Sequence, residues 1–325
     1  MKAIRINKYG GPEALIYDDI AVPEVNENQV LVKVSASGVN FIDVYQRTGL
    51  YSVALPYTLG MEAAGVVEKT GSAVTEFKLG DRVAFCWVPG SYAEYVIAPA
   101  DRLVSLPKEI DFNTGAAAML QGMTAHYLTR DTYRLKSGDR CLIHAAAGGV
   151  GLLLVQMAKL AGAFVVGTVS TESKAKLARA AGADEIILYT EKDFEAEVMK
   201  LTNGKGVNVV YDSVGQATFL KGLNCISRRG MMALFGQSSG PVEKIDPSIL
   251  NAKGSLFLTR PTLFHYIADR AELIQRANEL FGWIIDKKIK LRIDRTFSLK
   301  EAAEAHRYLE SRKSSGKILV VSELN

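Results

Sequence analysis

Six short apolar runs separated by helix-like stretches constrain this chain more than anything else in it. The runs fall at residues 141–143, 163–169, 185–189, 207–211, 231–235 and 255–258, and the stretches between the first five, 152–161, 173–181, 193–201 and 216–225, carry helical patterning. A strand that is apolar along its whole length has both faces covered, and helices between such strands return the chain so that the strands run parallel. The pattern predicts an α/β fold built on a doubly wound parallel sheet. In such a sheet the ligand crevice opens at the carboxyl ends of the strands.

The turn after the first strand indicates what that crevice holds. It reads His144-Ala145-Ala146-Ala147-Gly148-Gly149-Val150-Gly151 and opens a helix. The first amides of a helix have no intrahelical partner, and the helix dipole favours an anion there. Gly148 and Gly149 present no Cβ to an approaching pyrophosphate, and Gly151 lets the helix pack close to the strand. Ala146 stands where the first glycine of the usual fingerprint would be. Alone, such a turn also fits an ordinary tight connection. Followed by five more strands, it is a dinucleotide-binding turn.

The end of the second strand speaks to which dinucleotide. Sites specific for NAD put Asp or Glu there to hold the ribose 2′-hydroxyl. Here Val169 is followed by Ser170 and Thr171, with Lys174 just beyond. Without a carboxylate nothing repels a 2′-phosphate, Lys174 can supply positive charge and Ser170 a hydrogen bond. The competing account is that Lys174 is a solvated helix residue. The position favours NADP.

The first 120 residues have a different texture. Short strands at 30–34, 65–68 and 82–85 are separated by Gly-Asp and Pro-containing turns, a mostly-β pattern. Residues 114–128 read as a helix bridging two domains, 270–285 and 299–310 as amphipathic helices, and 317–321 as a closing strand. A length of 325 residues agrees with two domains. The net charge of +4 is dispersed, so nucleic acid is not expected as a partner. Cys86, Cys141 and Cys225 are far apart in apolar stretches and read as buried thiols in a reducing compartment. No signal peptide and no bilayer-spanning run is evident, so the expected location is cytoplasmic, away from membranes.

Several segments carry a family resemblance: 37–49, 60–65, Gln121-Gly122-Met123-Thr124-Ala125, the glycine turn, Tyr211-Asp212-Ser213-Val214-Gly215 and 254–261. In these the chain resembles the medium-chain dehydrogenase/reductase superfamily, and within it the zinc-free quinone oxidoreductases of the zeta-crystallin type. The resemblance implies a GroES-like mostly-β domain over 1–123, completed by 262–325, a Rossmann NADP-binding domain over 124–261, and a homodimer. Zinc-dependent members of the superfamily place a cysteine where Asn40 stands and a histidine where Met61 stands. Neither replacement is a credible zinc ligand, Glu62 alone cannot hold the ion, and the four closely spaced cysteines of a structural zinc lobe are missing. No metal is expected.

Without Lewis-acid help the substrate must accept hydride readily, as a quinone or a conjugated enone does. The expected activity is therefore NADPH-dependent reduction of quinones. Reduction of enones or 2-alkenals is an alternative, and a non-enzymatic NADPH- or RNA-binding crystallin-like role is another. Asn40, Tyr45 and Tyr51 are the expected catalytic residues, as hydrogen-bond donors to the acceptor oxygen, and Asn40 also lies beside the cofactor. The two tyrosines fit equally well as packing residues with wetted hydroxyls. By resemblance, Gly149 and Val150 hold the pyrophosphate and Ser170 and Lys174 the 2′-phosphate. Tyr189 contacts the adenosine half, and Ser213 and Val214 border the ribose. Tyr127 and the run Phe235, Gly236, Gln237 and Ser238 lie along the nicotinamide, with Arg260 and Arg312 as further contacts. A cofactor held between two domains would let them close, with 114–128 and the crossover near Pro261 as hinges. His144 looks catalytic, but a buried strand position before the turn makes an internal hydrogen bond the expected role.

Overall fold

The structure, a computed structural model, describes residues 1–322. The described chain forms two compact units, one of Met1–Met123 with residues 267–322, the other of Thr124–Tyr266. The second unit thus runs on to Tyr266, whose ring stacks on Tyr127 at 4.1 Å between centroids and 9° between planes.

The Thr124–Tyr266 unit is a six-stranded sheet. Its strands are Arg140–Ile143, Phe164–Val169, Glu185–Leu188, Val207–Asp212, Ile226–Leu234 and Phe257–Thr259. Numbered in that order they lie 3-2-1-4-5-6, and every neighbouring pair is parallel. Consecutive residues of the strands Arg140–Ile143, Phe164–Val169 and Val207–Asp212 are buried, so both faces are covered, whereas the edge strand Glu185–Leu188 is only partly buried and the edge strand Phe257–Thr259 has no buried residue. The order reverses between the first and fourth strands, and that reversal opens a crevice at their carboxyl ends.

The other unit is mostly antiparallel. Its long central strand, Gln29–Val39, pairs with Glu62–Thr70 on one side and the closing strand Lys317–Val321 on the other. Arg82–Cys86 and Val104–Ser105 extend the sheet one way and Ile293–Ser298 the other, while Tyr95–Pro99 also pairs with the central strand. A three-stranded sheet of Ile16–Asp19, Lys2–Ile6 and Tyr57–Thr58 accompanies it. Register brings two distant charged residues to one place. Ile318 lies opposite Val39, and Ala63 lies opposite Ser37. Lys317 and Glu62 therefore arrive from opposite sides at the carboxyl end of the central strand, where Gly38, Val39 and Asn40 lie.

The helix Phe41–Thr48, which follows that strand, is absent from the sequence reading. Five consecutive residues in it, from Asp43 to Arg47, are buried. Three of those five, Asp43, Gln46 and Arg47, are polar side chains buried by partners from distant elements, which their residue types alone do not announce.

Candidate functional site

In the Thr124–Tyr266 unit the glycine turn leads into the helix Gly149–Leu160, with Gly148 as N-cap in extended backbone and no side chain bonded to the first amides. Helix-start amides left without a side-chain cap are, in general, suited to an anion. Gly151 is required by close approach. A Cβ there would lie 2.2 Å from the Ala145 carbonyl oxygen and 2.9 Å from the Ala146 carbonyl carbon, both backbone atoms. At Gly148 the corresponding contact is 3.2 Å. The substitution of Ala146 for the usual first glycine has a local cause. Its methyl group occupies room left by Gly167 on the second strand, where a Cβ would come within 2.8 Å of it.

The next strand end gathers the residues expected to choose the cofactor. Phe164–Val169 runs into Ser170 and then the helix Glu172–Ala180, where Thr171 Oγ1 accepts the Lys174 amide at 3.3 Å. The Tyr189 amide donates to Val169 O at 3.1 Å and Thr190 Oγ1 to Ser170 O at 3.0 Å. Ser170, Lys174 and Tyr189 thus share the carboxyl end of two adjacent strands. Glu172, the nearest carboxylate along the chain, is turned to Arg179 at 2.7 Å.

Asp212, fully buried, builds the other rim. Its Oδ1 accepts the amides of Val214 (2.7 Å) and Gly215 (3.0 Å), and its Oδ2 accepts Thr218 Oγ1 at 2.7 Å. That folds Ser213 and Val214 over the strand end. The segment from Phe235 to Ser238 lies against them, with Ser238 N donating to Ser213 O at 3.1 Å. A Cβ at Gly236 would meet Ser213 O at 2.6 Å, so this crossing also needs glycine. Sequence reasoning gives Asp212 no role of its own within the Tyr211-to-Gly215 run. The signal available was a buried-strand carboxylate two and three residues before amides that need an acceptor. Arg260 Nη1 donates to Leu234 O at 3.1 Å, which ties it to the same rim.

His144 is 1% exposed, with Nδ1 2.9 Å from Thr168 Oγ1, and burial lowers its proton affinity. Cys86, Cys141 and Cys225 are buried and free of disulfides, and burial pushes each thiol up, Cys225 to about 12. None is a nucleophile.

The Asn40 region belongs to the other unit. Tyr45 is buried and Tyr51 half exposed, their rings edge to face at 5.2 Å. The Tyr51 amide donates to Tyr45 O at 3.0 Å, so the turn at Gly49 brings the pair together. Arg312 follows the helix Ala302–Glu310 with φ +59 on the exposed surface. Asn40 is 4% exposed and surrounded by partners. Oδ1 accepts Lys317 Nζ at 2.9 Å and Gln121 Nε2 at 3.2 Å, and Nδ2 donates to Glu62 Oε1 at 2.7 Å and Gly38 O at 3.2 Å. Its amide is therefore saturated from within the chain. Among the described residues, no cluster of three or more His, Cys, Asp or Glu is placed to hold a metal ion.

Residues 149–281 match the zinc-binding dehydrogenase family and residues 26–108 the alcohol dehydrogenase GroES-like domain. The chain is 47% identical over 323 residues to a quinone oxidoreductase of Pseudomonas aeruginosa, covering 98% of this chain and 99% of that one. It is 41% identical to a 2-haloacrylate reductase of a Burkholderia species, covering 98% of each. The crystal structure of Escherichia coli quinone oxidoreductase complexed with NADPH superposes with a TM-score of 0.97 at 45% identity, covering 99% of this chain and 100% of that one. A GroES-like unit joined to a parallel nucleotide-binding sheet, shared end to end with these relatives, makes the chain a member of the medium-chain dehydrogenase/reductase superfamily, in its quinone oxidoreductase family.

Proposed function

We propose that the protein is an NADPH-dependent, zinc-independent quinone reductase that works as a homodimer in the cytoplasm. The observation that carries this reading is the glycine turn. Two backbone approaches, at Gly151 and Gly236, exclude any Cβ at the end of a parallel sheet whose helix amides are free of side-chain caps. Those residues fit a dinucleotide. Gly148, Gly149, Val150 and Gly151 would hold its pyrophosphate, Ser170 and Lys174 its 2′-phosphate, Tyr189 its adenosine half, and Ser213, Val214 and Phe235 to Ser238 its ribose and nicotinamide. When bound, the nicotinamide supplies hydride. Asn40, Tyr45 and Tyr51 orient the acceptor and stabilise the charge that develops on its oxygen. Zinc independence rests on the donor set. A carboxamide and a thioether stand at the two positions, and the carboxamide oxygen already faces the Lys317 ammonium, which would repel a metal ion. Dimer formation is supported by the exposed edge strand Phe257–Thr259, where Phe257 is 59% exposed. No helix among the described residues is long and apolar enough to cross a membrane.

The test is a spectrophotometric screen of NADPH oxidation with simple quinones and enones, NADH as control and chelator-washed protein throughout. Quinones should support turnover with NADPH and poorly with NADH. Faster turnover of conjugated carbon–carbon double bonds would favour the second reading, to which the likeness to a 2-haloacrylate reductase lends weight. Stoichiometric zinc in the washed protein would overturn zinc independence. Lys174→Ala is expected to raise the KM for NADPH roughly ten- to hundredfold, the loss of one charge-assisted bond, with little change for NADH. An unchanged KM would remove Lys174 from the site.

A further inference from the structure

We propose that Lys317 and Glu62 are positioning residues for acceptor reduction, a buried ion pair that fixes the plane and the direction of the Asn40 carboxamide. The proposal rests on the reading of Asn40 as a donor to the acceptor. Lys317 is 1% exposed and Glu62 fully buried. The lysine donates to Glu62 Oε1, to Asn40 Oδ1 at 2.9 Å and to Val39 O at 3.3 Å. Three acceptors use all three N–H bonds of an ammonium. Glu62 in turn accepts Asn40 Nδ2 on Oε1 at 2.7 Å, and on Oε2 the Leu120 amide at 2.6 Å.

The arrangement leaves Asn40 one orientation. An ammonium has no lone pair, so the amide atom facing Lys317 must be the oxygen. A carboxylate has no proton to give, so the atom facing Glu62 must be the nitrogen. A flipped amide would set like against like at both contacts, in a place closed to water. The two charges touch each other, each engages one end of the amide, and together they tie it to the strand Glu62–Thr70, the strand Lys317–Val321 and, through Gln121 and Leu120, the helix Phe112–Tyr127.

Gly38 gives a separate line of support. A Cβ there would lie 2.1 Å from Glu62 Oε1 and 2.6 Å from Lys317 Cε. The central strand thus omits a side chain at the point where the pair crosses it. A pair kept only to neutralise two charges does not need this depth. Burying a salt bridge rarely stabilises a fold relative to apolar residues of the same volume, so its use here is geometric.

The variant to make is the double substitution Lys317→Met with Glu62→Gln. It removes both charges, keeps both volumes and leaves no unpaired ion. Gly38→Ala is the companion, since it displaces the pair without changing a charge. Each is compared with the wild type in three measurements. These are solvent exchange of the Asn40 side-chain amide protons in asparagine-labelled protein, NADPH affinity by fluorescence, and kcat with KM for a quinone. In both variants the Asn40 protons should exchange faster and kcat should fall about 10- to 100-fold, as misplaced groups do, while the NADPH Kd stays within about twofold. Unchanged exchange overturns the positioning role. Released protons with wild-type kcat overturn its relevance to reduction. Loss of NADPH affinity in step with kcat makes the pair a folding element and also overturns the proposal. The exchange measurement needs no turnover, so it still decides if the wild type reduces no quinone at all.

Discussion

Gly151→Ala should cost the nucleotide unit on the order of 3 kcal/mol or more and abolish NADPH binding, whereas Gly148→Ala should leave the fold intact. Both changes add one methyl group to the same turn. At 151 that methyl would sit 2.2 Å from one backbone atom and 2.9 Å from two more, none of which can rotate away. Relief requires the helix Gly149–Leu160 to lift from the strand Arg140–Ile143. That movement would carry the first amides of the helix off their line toward the ligand. At 148 the contact is 3.2 Å to a single carbonyl oxygen, and the N-cap backbone is extended, which alanine adopts freely. Thermal unfolding monitored by circular dichroism, alongside NADPH titration, separates the cases. Equal melting temperatures and equal affinities in the two variants would refute the close-approach account.

The nucleotide unit was legible for a reason these glycines share with its strands. Parallel strands buried on both faces read as unbroken apolar runs, and the turn between strand and helix demands glycine wherever backbones touch. Both are local requirements and so appear as local patterns. Boundaries shifted where tertiary pairing decides them. The fifth strand begins at Ile226, five residues before its apolar core at Met231, because the polar residues Ser227 to Arg229 continue the strand outside the apolar pattern.

The environment of Asn40 was not legible. The partners of Asn40 are separated from it in sequence by 22 residues at Glu62, 81 at Gln121 and 277 at Lys317. Nothing local marks a lysine in the pattern Gly316-Lys317-Ile318-Leu319 as buried, since lysine near a strand start is ordinarily solvated. The helix Phe41–Thr48 escaped for a related reason. Asp43, Gln46 and Arg47 are polar residues buried by partners from distant elements, so their types suggest a surface that the fold does not give them.

Arg47 and Asp43 belong to a second network, and stability measured against pH should expose it through two variants whose slopes have opposite signs. Arg47 is 1% exposed, pairs with both carboxylate oxygens of Glu310 and donates from Nη1 to His306 Nδ1 at 3.0 Å. A guanidinium only donates, so Nδ1 is an acceptor and the ring proton lies on Nε2, 3.4 Å from Tyr92 Oη. The Tyr92 hydroxyl donates to Asp43 Oδ2 at 2.9 Å, and Asp43 Oδ1 has no protein partner. Burial, and then the Arg47 charge, depress His306 from 6.5 to about 3. Burial raises Asp43 from 3.8 to about 7, against hydrogen bonds from Asn40 and Tyr92 and the attraction of Lys317, with the Glu62 charge adding to the rise. Between about pH 4 and 6.5 the unfolded chain carries a proton on His306 that the folded one lacks, so this group makes stability rise with pH. Over the same interval the folded chain carries a proton on Asp43 that the unfolded one lacks, so this group makes stability fall with pH. Each slope approaches 1.4 kcal/mol per pH unit, and in the wild type they nearly cancel. Asp43→Asn leaves only the histidine, and its stability should climb by roughly 3 kcal/mol from pH 4 to 6.5 relative to wild type. His306→Asn leaves only the aspartate, and its stability should drop by a similar amount over the same range. Urea unfolding at half-unit steps of pH measures both. Parallel curves for the two variants would mean that the buried pair does not hold these protonation states.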